Sequence, residues 1–399
     1  MTEERKQPIW TKSFISISLS NFFIFMAFYG LLTSLPIYVV DELHRSEVDA
    51  GLIVTIFLLS AIIVRPFSGK LLDDFGKKRM LMISLILFTL CSFLYLWIDQ
   101  YALLLALRFF QGIWFSIATT ATGSIAADLV PIKRRGEGLG YFVMSTNLAV
   151  VFGPMIALTL IQTTSFIVLF LVLAILITAG VLFTASSKID ENPVKTAKKR
   201  LQVSDLIDQK AFPIAFVGSL VAIAYSSVLS YLSIYAQELD LLDAASFFFV
   251  VFAVVMLVAR PFSGRLFDLK GPHIIIYPAL VLFMVGLLLL SITETSFMLL
   301  LSGAFIGLGY GTVVPSLQTL AVQAADRSRS GHATATFFTL FDTGIAAGSY
   351  ILGMIATQLG YGHLYFYTAI FMLVVIVVYK LVLHRKKEAP ALRMKQTNG

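Results

Sequence analysis

The sequence predicts an all-α integral membrane protein, with 12 transmembrane helices in two parallel-repeat six-helix bundles. Three observations carry this expectation. The 399 residues are 58% hydrophobic and only 13% charged, about half the charge of an ordinary soluble domain. Apolar runs of spanning length alternate with short loops whose basic residues fall on every second connection. A nine-residue stretch in the first half recurs in the second half.

A spanning helix needs about 20 mostly apolar residues. The candidate spans are 13–40, 49–72, 79–98, 101–127, 138–161, 165–185, 211–236, 245–267, 274–293, 296–322, 332–358 and 362–383. The first is too long for the apolar core of a secretory signal and reads as a retained helix. The turns after Ile98 and Leu359 are short, so the helices they join run antiparallel. The segment 186–210 is the one long loop; it is basic and contains Pro193. Its end, with Leu201, Val203, Leu206 and Ile207, reads either as a short amphipathic helix on the membrane surface or as part of a flexible linker. The organisation is therefore a bundle over 1–185, a linker over 186–210, a bundle over 211–384 and a disordered tail over 385–399.

One set of loops contains nearly all the Lys and Arg, including Lys77, Lys78, Arg79, Lys133, Arg134, Arg135, Lys270 and Arg329. The alternate loops hold Arg45 alone. By the positive-inside rule both termini are cytoplasmic and the span count is even. A bacterial plasma membrane is the expected location. The net charge of +7 thus marks topology and anionic headgroups rather than nucleic acid. The single Cys91 excludes an intrachain disulfide, and five scattered His offer no metal cluster. No phosphate-binding glycine loop for ATP hydrolysis is present. No cofactor and no enzymatic activity are expected. The expected partners are the lipid bilayer, a small-molecule substrate and protons, with the chain acting as a monomer.

Arg65-Pro66-Phe67-Ser68-Gly69-Lys70-Leu71-Leu72-Asp73 recurs as Arg260-Pro261-Phe262-Ser263-Gly264-Arg265-Leu266-Phe267-Asp268, seven of nine residues identical at a shift of 195. The same shift relates Gly76 to Gly271, Gly112 to Gly307, Arg134 to Arg329, Gly136 to Gly331, Asn147 to Asp342 and Gly153 to Gly348. Six spans separate the copies, so both have the same orientation. Such parallel repeats place a substrate site between two halves near the midplane, with rocking for alternating access.

The stretch 69–79, GKLLDDFGKKR, resembles the loop signature of the major facilitator superfamily, and the second copy at 264–271 strengthens the likeness. The resemblance extends from about Ser13 to Leu383. Arg108-Phe109-Phe110-Gln111-Gly112 is similar to the R-x-x-Q-G signature of proton-coupled members. Gly140, Ala149, Gly153-Pro154 and Ala157 follow the small-residue signature of the antiporters, from which Leu158 departs. Gly153-Pro154 also reads as an ordinary packing kink. The resemblance implies export of hydrophobic or amphiphilic compounds by proton antiport, as in 12-helix drug antiporters. Export of a metallophore, sugar or other metabolite, or uptake by symport, is the alternative.

Charges within spans are costly and point to function. Arg108, roughly 10 Å deep, is a candidate for proton or substrate coupling, or else a structural ion pair. Asp342, near the midplane, is the candidate proton carrier; the alternative is a carboxyl hydrogen-bonded to nearby Thr. Drug antiporters often carry an acid in the first helix where this chain has Asn21, which argues against a two-carboxylate mechanism. Asn21, Phe25, Tyr29, Gln111, Asn147, Tyr225, Tyr231, Tyr310 and Asp342 are the candidate cavity residues, with Phe22 a further aromatic on the same helix. The resemblance implies a cytoplasmic gate from Gly69, Asp73, Gly76, Lys77, Lys78, Arg79, Asp128, Gly153, Pro154, Gly264 and Asp268. In it Asp73 faces a helix N-terminus in the other half, and Asp128 pairs with Lys77, Lys78 or Arg79. Arg65 and Arg260 are expected about one turn inside the cytoplasmic edge, where they can snorkel.

Overall fold

A helix satisfies every backbone amide within its own segment, which a chain in hydrocarbon requires. The computed structural model describes residues 8–189, 207–326 and 329–396. Among them are twelve α-helices: α1 Lys12–Asp41, α2 Glu47–Phe75, α3 Lys77–Leu94, α4 Tyr101–Leu129, α5 Arg135–Thr163, α6 Phe166–Ser186, α7 Phe212–Glu238, α8 Leu242–Lys270, α9 Pro272–Ser291, α10 Ser296–Ala324, α11 Ser330–Leu359 and α12 Tyr361–Gln396. No strand occurs among the described residues. Eleven of the helices are long and apolar enough to span a membrane. The exception, α3, has 18 residues and spends its first turn on Lys77, Lys78 and Arg79.

Local chemistry sets the helix ends. Side-chain oxygens of Thr11, Ser46 and Ser165 cap α1, α2 and α6 by accepting from Phe14, Asp49 and Val168 backbone N–H. Gly76 (φ +91°) and Gly271 (φ +93°) each end one helix and begin the next at the same repeat position. A side chain there would meet the steric penalty of positive φ. The segment 190–206 lies outside the described residues, and with it all of the candidate surface helix over 201–207 except Ile207. The tail expected to be disordered is instead helical as far as Gln396, in keeping with its Lys, Glu, Ala, Leu, Arg and Met, which favour helix.

The chain forms two compact units. Unit 1 is Met1–Asp208 with Ala325–Thr339; unit 2 is Gln209–Ala324 with Leu340–Gly399. The first ten residues of α11 therefore group with unit 1. In unit 1, α4 packs on α1, α2 and α3, and α6 packs on α1 and α3. In unit 2, α10 packs on α7, α8 and α9, and α12 packs on α7 and α9. The pairing scheme is the same when each helix number is raised by six.

The repeat extends to single contacts. A Cβ on Gly112 would strike the Phe57 carbonyl; one on Gly307 would lie 2.6 Å from the Phe252 carbonyl, the same pair shifted by 195. Phe115 sits among Phe57 and Phe88, and its counterpart Tyr310 among Phe252 and Phe283. A Cβ on Gly153 would lie 2.9 Å from Tyr29 Cβ and 3.0 Å from the Met26 carbonyl, so α5 crosses α1 closely there. Pro154 is accommodated inside a continuous α5. Small residues are what allow such approach in a membrane, where burial from water supplies little force.

Substituting leucine at Gly112 or Gly307 is expected to abolish the monodisperse peak in detergent, read by size-exclusion chromatography. Gly51 is the control, since a methyl group added there would meet no atom within 4 Å. Gly51→Ala is expected to keep or raise the melting temperature, since alanine favours helix by about 1 kcal/mol.

Candidate functional site

Arg108 projects from α4 and is wholly buried, at 0% exposure. Gln111 lies one turn on, on the same helix face. Arg108 Nη1 donates to Gln111 Oε1 (2.9 Å) and Nε to the Ile53 carbonyl (3.4 Å). Tyr95 Oη donates to the same Gln111 oxygen (2.6 Å), while Gln111 Nε2 donates to Ser92 Oγ (3.1 Å). The guanidinium carbon stands 4.1 Å from the centroid of the Phe57 ring, a cation–π contact strengthened by the dry surroundings. Arg108 Nη2 has no hydrogen-bond partner.

The second copy shows what this cluster is not needed for. At a shift of 195, Arg108, Gln111, Tyr95, Ser92 and Ile53 become Gly303, Ile306, Leu290, Leu287 and Phe248. Phe248 carbon lies 2.8 Å from where a Cβ on Gly303 would stand, so its ring occupies the space. The same helix packing is thus built without charge in unit 2. The polar network of unit 1 is not a requirement of the fold.

Asn21 is a second polar node of unit 1. Its Nδ2 donates to Ser145 Oγ and Thr146 Oγ1, both 2.9 Å, and its Oδ1 accepts from Thr122 Oγ1 at 2.9 Å. It is buried and cross-links α1, α4 and α5, so its side chain is engaged in the bundle rather than presented to a cavity. Phe25 and Tyr29 are half-buried beside it on α1, with Phe25 5.4 Å from Phe115 by ring centroids. Phe22, also half-buried, neighbours Phe23. Asn147 is half-buried on α5.

In unit 2, Tyr225 of α7 stacks on Tyr310 of α10 with centroids 3.7 Å apart and planes 15° from parallel. Tyr231 donates from Oη to the Ser349 carbonyl. With Tyr361, Met354 and Thr357 it lines a cavity of about 380 Å³. Asp342 is half-buried on α11, twelve residues from its start and two into the portion assigned to unit 2. Gly264 is buried and Asp268 half-buried at the end of α8.

Arg65 and Arg260 do not snorkel. Each is 4% exposed and ten residues from its helix end, roughly 15 Å in at 1.5 Å per residue. The helices run on through Asp73 to Phe75 and through Asp268 to Lys270, which places both arginines deeper than the apolar runs suggested.

The basic-loop end of unit 1 gathers the remaining candidates. Asp73 Oδ2 meets His332 Nδ1 at 2.7 Å, and His332 is the third residue of α11. Asp128 Oδ2 meets Lys77 Nζ at 2.5 Å, and Ser330 Oγ donates to Asp128 Oδ1 at 2.9 Å. Lys77 Nζ also reaches Ser330 Oγ (2.6 Å). A Cβ on Gly69 would lie 2.8 Å from His332 Cα, so glycine lets α2 close on α11. Lys78 donates to the Ser187 carbonyl (2.6 Å), and Arg79 is exposed. Of the three cations, Lys77 takes the Asp128 pairing. Asp208, near the end of the segment 186–210, binds Arg329 through its carboxylate (3.1 Å) and Thr336 through its backbone N–H (2.8 Å). His332 and Ser330 were not among the expected residues. The repeat register passes directly through them, since Gly136–Gly331 is one step from Glu137–His332.

The Asp73–His332 and Asp128–Lys77 contacts differ in burial. Side-chain exposures are 8% and 19% for His332 and Asp73, against 20% and 37% for Lys77 and Asp128. Double-mutant cycles by thermal unfolding are expected to give about 1–2 kcal/mol of coupling for Asp73→Asn with His332→Gln. For Asp128→Asn with Lys77→Gln the coupling is expected below about 1 kcal/mol.

The family model of the Major Facilitator Superfamily matches residues 17–349 and 243–397. An uncharacterised MFS-type transporter of Methanocaldococcus jannaschii is 25% identical over 368 residues, covering 89% of this chain and 94% of the relative. Multidrug resistance protein 1 of Bacillus subtilis is 29% identical over 42% of this chain and 43% of its own. The quinolone resistance protein NorA of Staphylococcus aureus is 32% identical over 33% and 35% respectively. The matches to these two resistance proteins thus span less than half of their length. The crystal structure of the human organic anion transporter MFSD10 superposes with a TM-score of 0.80 at 16% identity, over 95% of this chain and 100% of that one, a likeness of fold. Helix content, internal duplication and the full-length family match agree: the chain is a multi-pass membrane transporter and belongs to the major facilitator superfamily.

Proposed function

We propose that the protein exports small hydrophobic or amphiphilic compounds by proton antiport through alternating access. The observation that carries this reading is the buried Arg108 cluster, present in unit 1 and replaced by glycine and hydrocarbon in its repeat. A buried guanidinium with an unpartnered Nη2 is a poor stabiliser and a responsive element. Asp342 is the carboxyl group proposed to carry the proton, as the acid furthest from either end of its helix among the described residues. Export and an amphiphilic cargo are supported by the likeness of part of the chain to two resistance proteins.

Phe25, Tyr29, Tyr225, Tyr231 and Tyr310 supply flat apolar surface to the proposed cargo path. The Asp73–His332 and Asp128–Lys77–Ser330 contacts act as the gate on the basic-loop side. That side is proposed to be cytoplasmic, with both termini there. Gly264 and Asp268 take the corresponding position in unit 2. The polypeptide works as a monomer in this scheme, since each unit brings one half of the machinery.

Accumulation of a fluorescent amphiphile in cells with and without the protein tests the export reading. The wild type is expected to lower steady-state accumulation. Asp342→Asn is expected to abolish this without loss of membrane-inserted protein. Arg108→Met is expected to melt no lower than wild type, because replacing a buried charge by hydrocarbon is often neutral or stabilising, and yet to lose efflux. Full efflux by Asp342→Asn would remove that carboxyl from the mechanism.

A further inference from the structure

His332, in the first turn of α11, is 6% exposed. Its repeat mate is Glu137 on α5, which accepts from Arg134 Nε (3.0 Å) and Nη2 (2.9 Å). Arg329, the mate of Arg134, binds Asp208 instead. Position 332 has thus exchanged an acid for a base, and its neighbour is a carboxylate, Asp73 Oδ2 at 2.7 Å from Nδ1. A glutamate at that place would set two carboxylates against each other, which opposes ionisation of both.

His332 Nδ1 makes no hydrogen bond of good geometry, although the carboxylate is so near. The contact therefore draws on charge, and a neutral imidazole has little charge to give. The other charged groups at this end are matched among themselves. Lys77 of α3 holds Asp128 of α4, with Ser330 bonded to both, and Asp208 holds Arg329 on the connection before α11. Lys70 and Asp74 flank Asp73 along α2, half-buried and exposed respectively. Among the described residues His332 is the one basic side chain at ion-pair distance from Asp73. Gly69 brings the backbones of α2 and α11 together at the same point, so fastening these side chains fastens the helices. Lysine or arginine at 332 would give Asp73 a permanent cation, and glutamine a neutral partner. Histidine is the side chain whose charge ordinarily changes between about pH 5 and 8.

We propose that His332 is a proton-sensing latch. A proton taken up from the basic-loop side fastens the start of α11 to the end of α2 through Asp73, and its loss loosens them as the pH rises. Antiport that carries protons toward that side then slows itself as they accumulate there. The inference rests on the gate and the export function proposed above and adds their regulation.

The test uses purified full-length protein in detergent, with melting temperature as the readout. Double-mutant cycles of Asp73→Asn with His332→Gln are run at about pH 6 and about pH 8. The coupling, read as the departure from additive melting shifts, is expected to fall by at least about half at the higher pH. The cycle of Asp128→Asn with Lys77→Gln is the control and is expected to hold steady, since the charge of a lysine does not change over this range. In a His332→Lys background, Asp73→Asn is expected to lower the melting temperature equally at both pH values. In the wild-type background it is expected to lower it more at the acid pH, a comparison that stands even if His332→Gln does not fold. Coupling that is the same at both pH values makes the contact structural and overturns the proposal, as does coupling that grows on the alkaline side. The consequence for transport is read with rhodamine 6G in proteoliposomes held at one pH on both faces. Acidifying from about pH 8 to about pH 6 is expected to slow wild type severalfold more than His332→Gln, and equal slowing overturns the latch. No rhodamine movement in any variant would fault the export reading alone, and the melting cycles would still decide the latch.

Discussion

Hydrocarbon tolerates a charge only when something nearby answers it, and the placement of a few arginines and acids follows from that constraint. Most of each helix is apolar side chain and closed backbone hydrogen bonds. Against that background Arg65, Arg108 and Arg260 stand out as guanidinium groups withdrawn from solvent. Arg108 is answered by Gln111, a backbone carbonyl and an aromatic face. Arg65 is answered by Thr119 and Phe338. The chain's own duplication supplies the control that single structures lack. Where unit 2 replaces Arg108 by glycine and fills the space with Phe248, the helix packing survives. Charge in the equivalent place in unit 1 is therefore retained for something other than folding.

The duplication also separates scaffold from function at other positions. Gly76 and Gly271 share a positive φ, and Gly112 and Gly307 share a carbonyl neighbour, so these are scaffold features. Asn21 and its partners Thr122, Ser145 and Thr146 become Phe216, Leu317, Leu340 and Phe341. That second polar node, like the first, belongs to unit 1 only. The two copies keep one framework and divide the chemistry between them, with Asp342 of unit 2 matched in the repeat by the uncharged Asn147 of unit 1.

Much of this was legible in the residues alone. Spanning helices announce themselves by length and hydropathy, and the loop 69–79 carries its turn glycine and its charges within a few positions. The family resemblance implied a partner for Asp128 among Lys77, Lys78 and Arg79, and the structure puts Lys77 against it; the glycine at 153 pointed to close packing, and α5 crosses α1 closely there. What escaped was set by long-range packing. His332 is an ordinary residue in sequence and becomes notable only because α11 begins against Asp73. Arg65 and Arg260 look peripheral in sequence because charged residues ordinarily mark span ends, whereas the helices continue well past them. Asn21 looks like cavity wall, since nothing in a helix pattern tells which polar residue its neighbours will saturate. The ion contacts seen at the basic-loop end are partly exposed and polar, so water can replace each at modest cost, which suits the gate proposed there.

In the proposed antiport, cargo and protons move in opposite directions through one protein. Proteoliposomes holding a pH-sensitive dye test it directly, with no membrane potential imposed. A cargo gradient across the vesicle wall is predicted to drive protons the opposite way, in a fixed ratio to the cargo that crosses. Cargo crossing with no proton movement, or with protons travelling alongside it, would contradict the account.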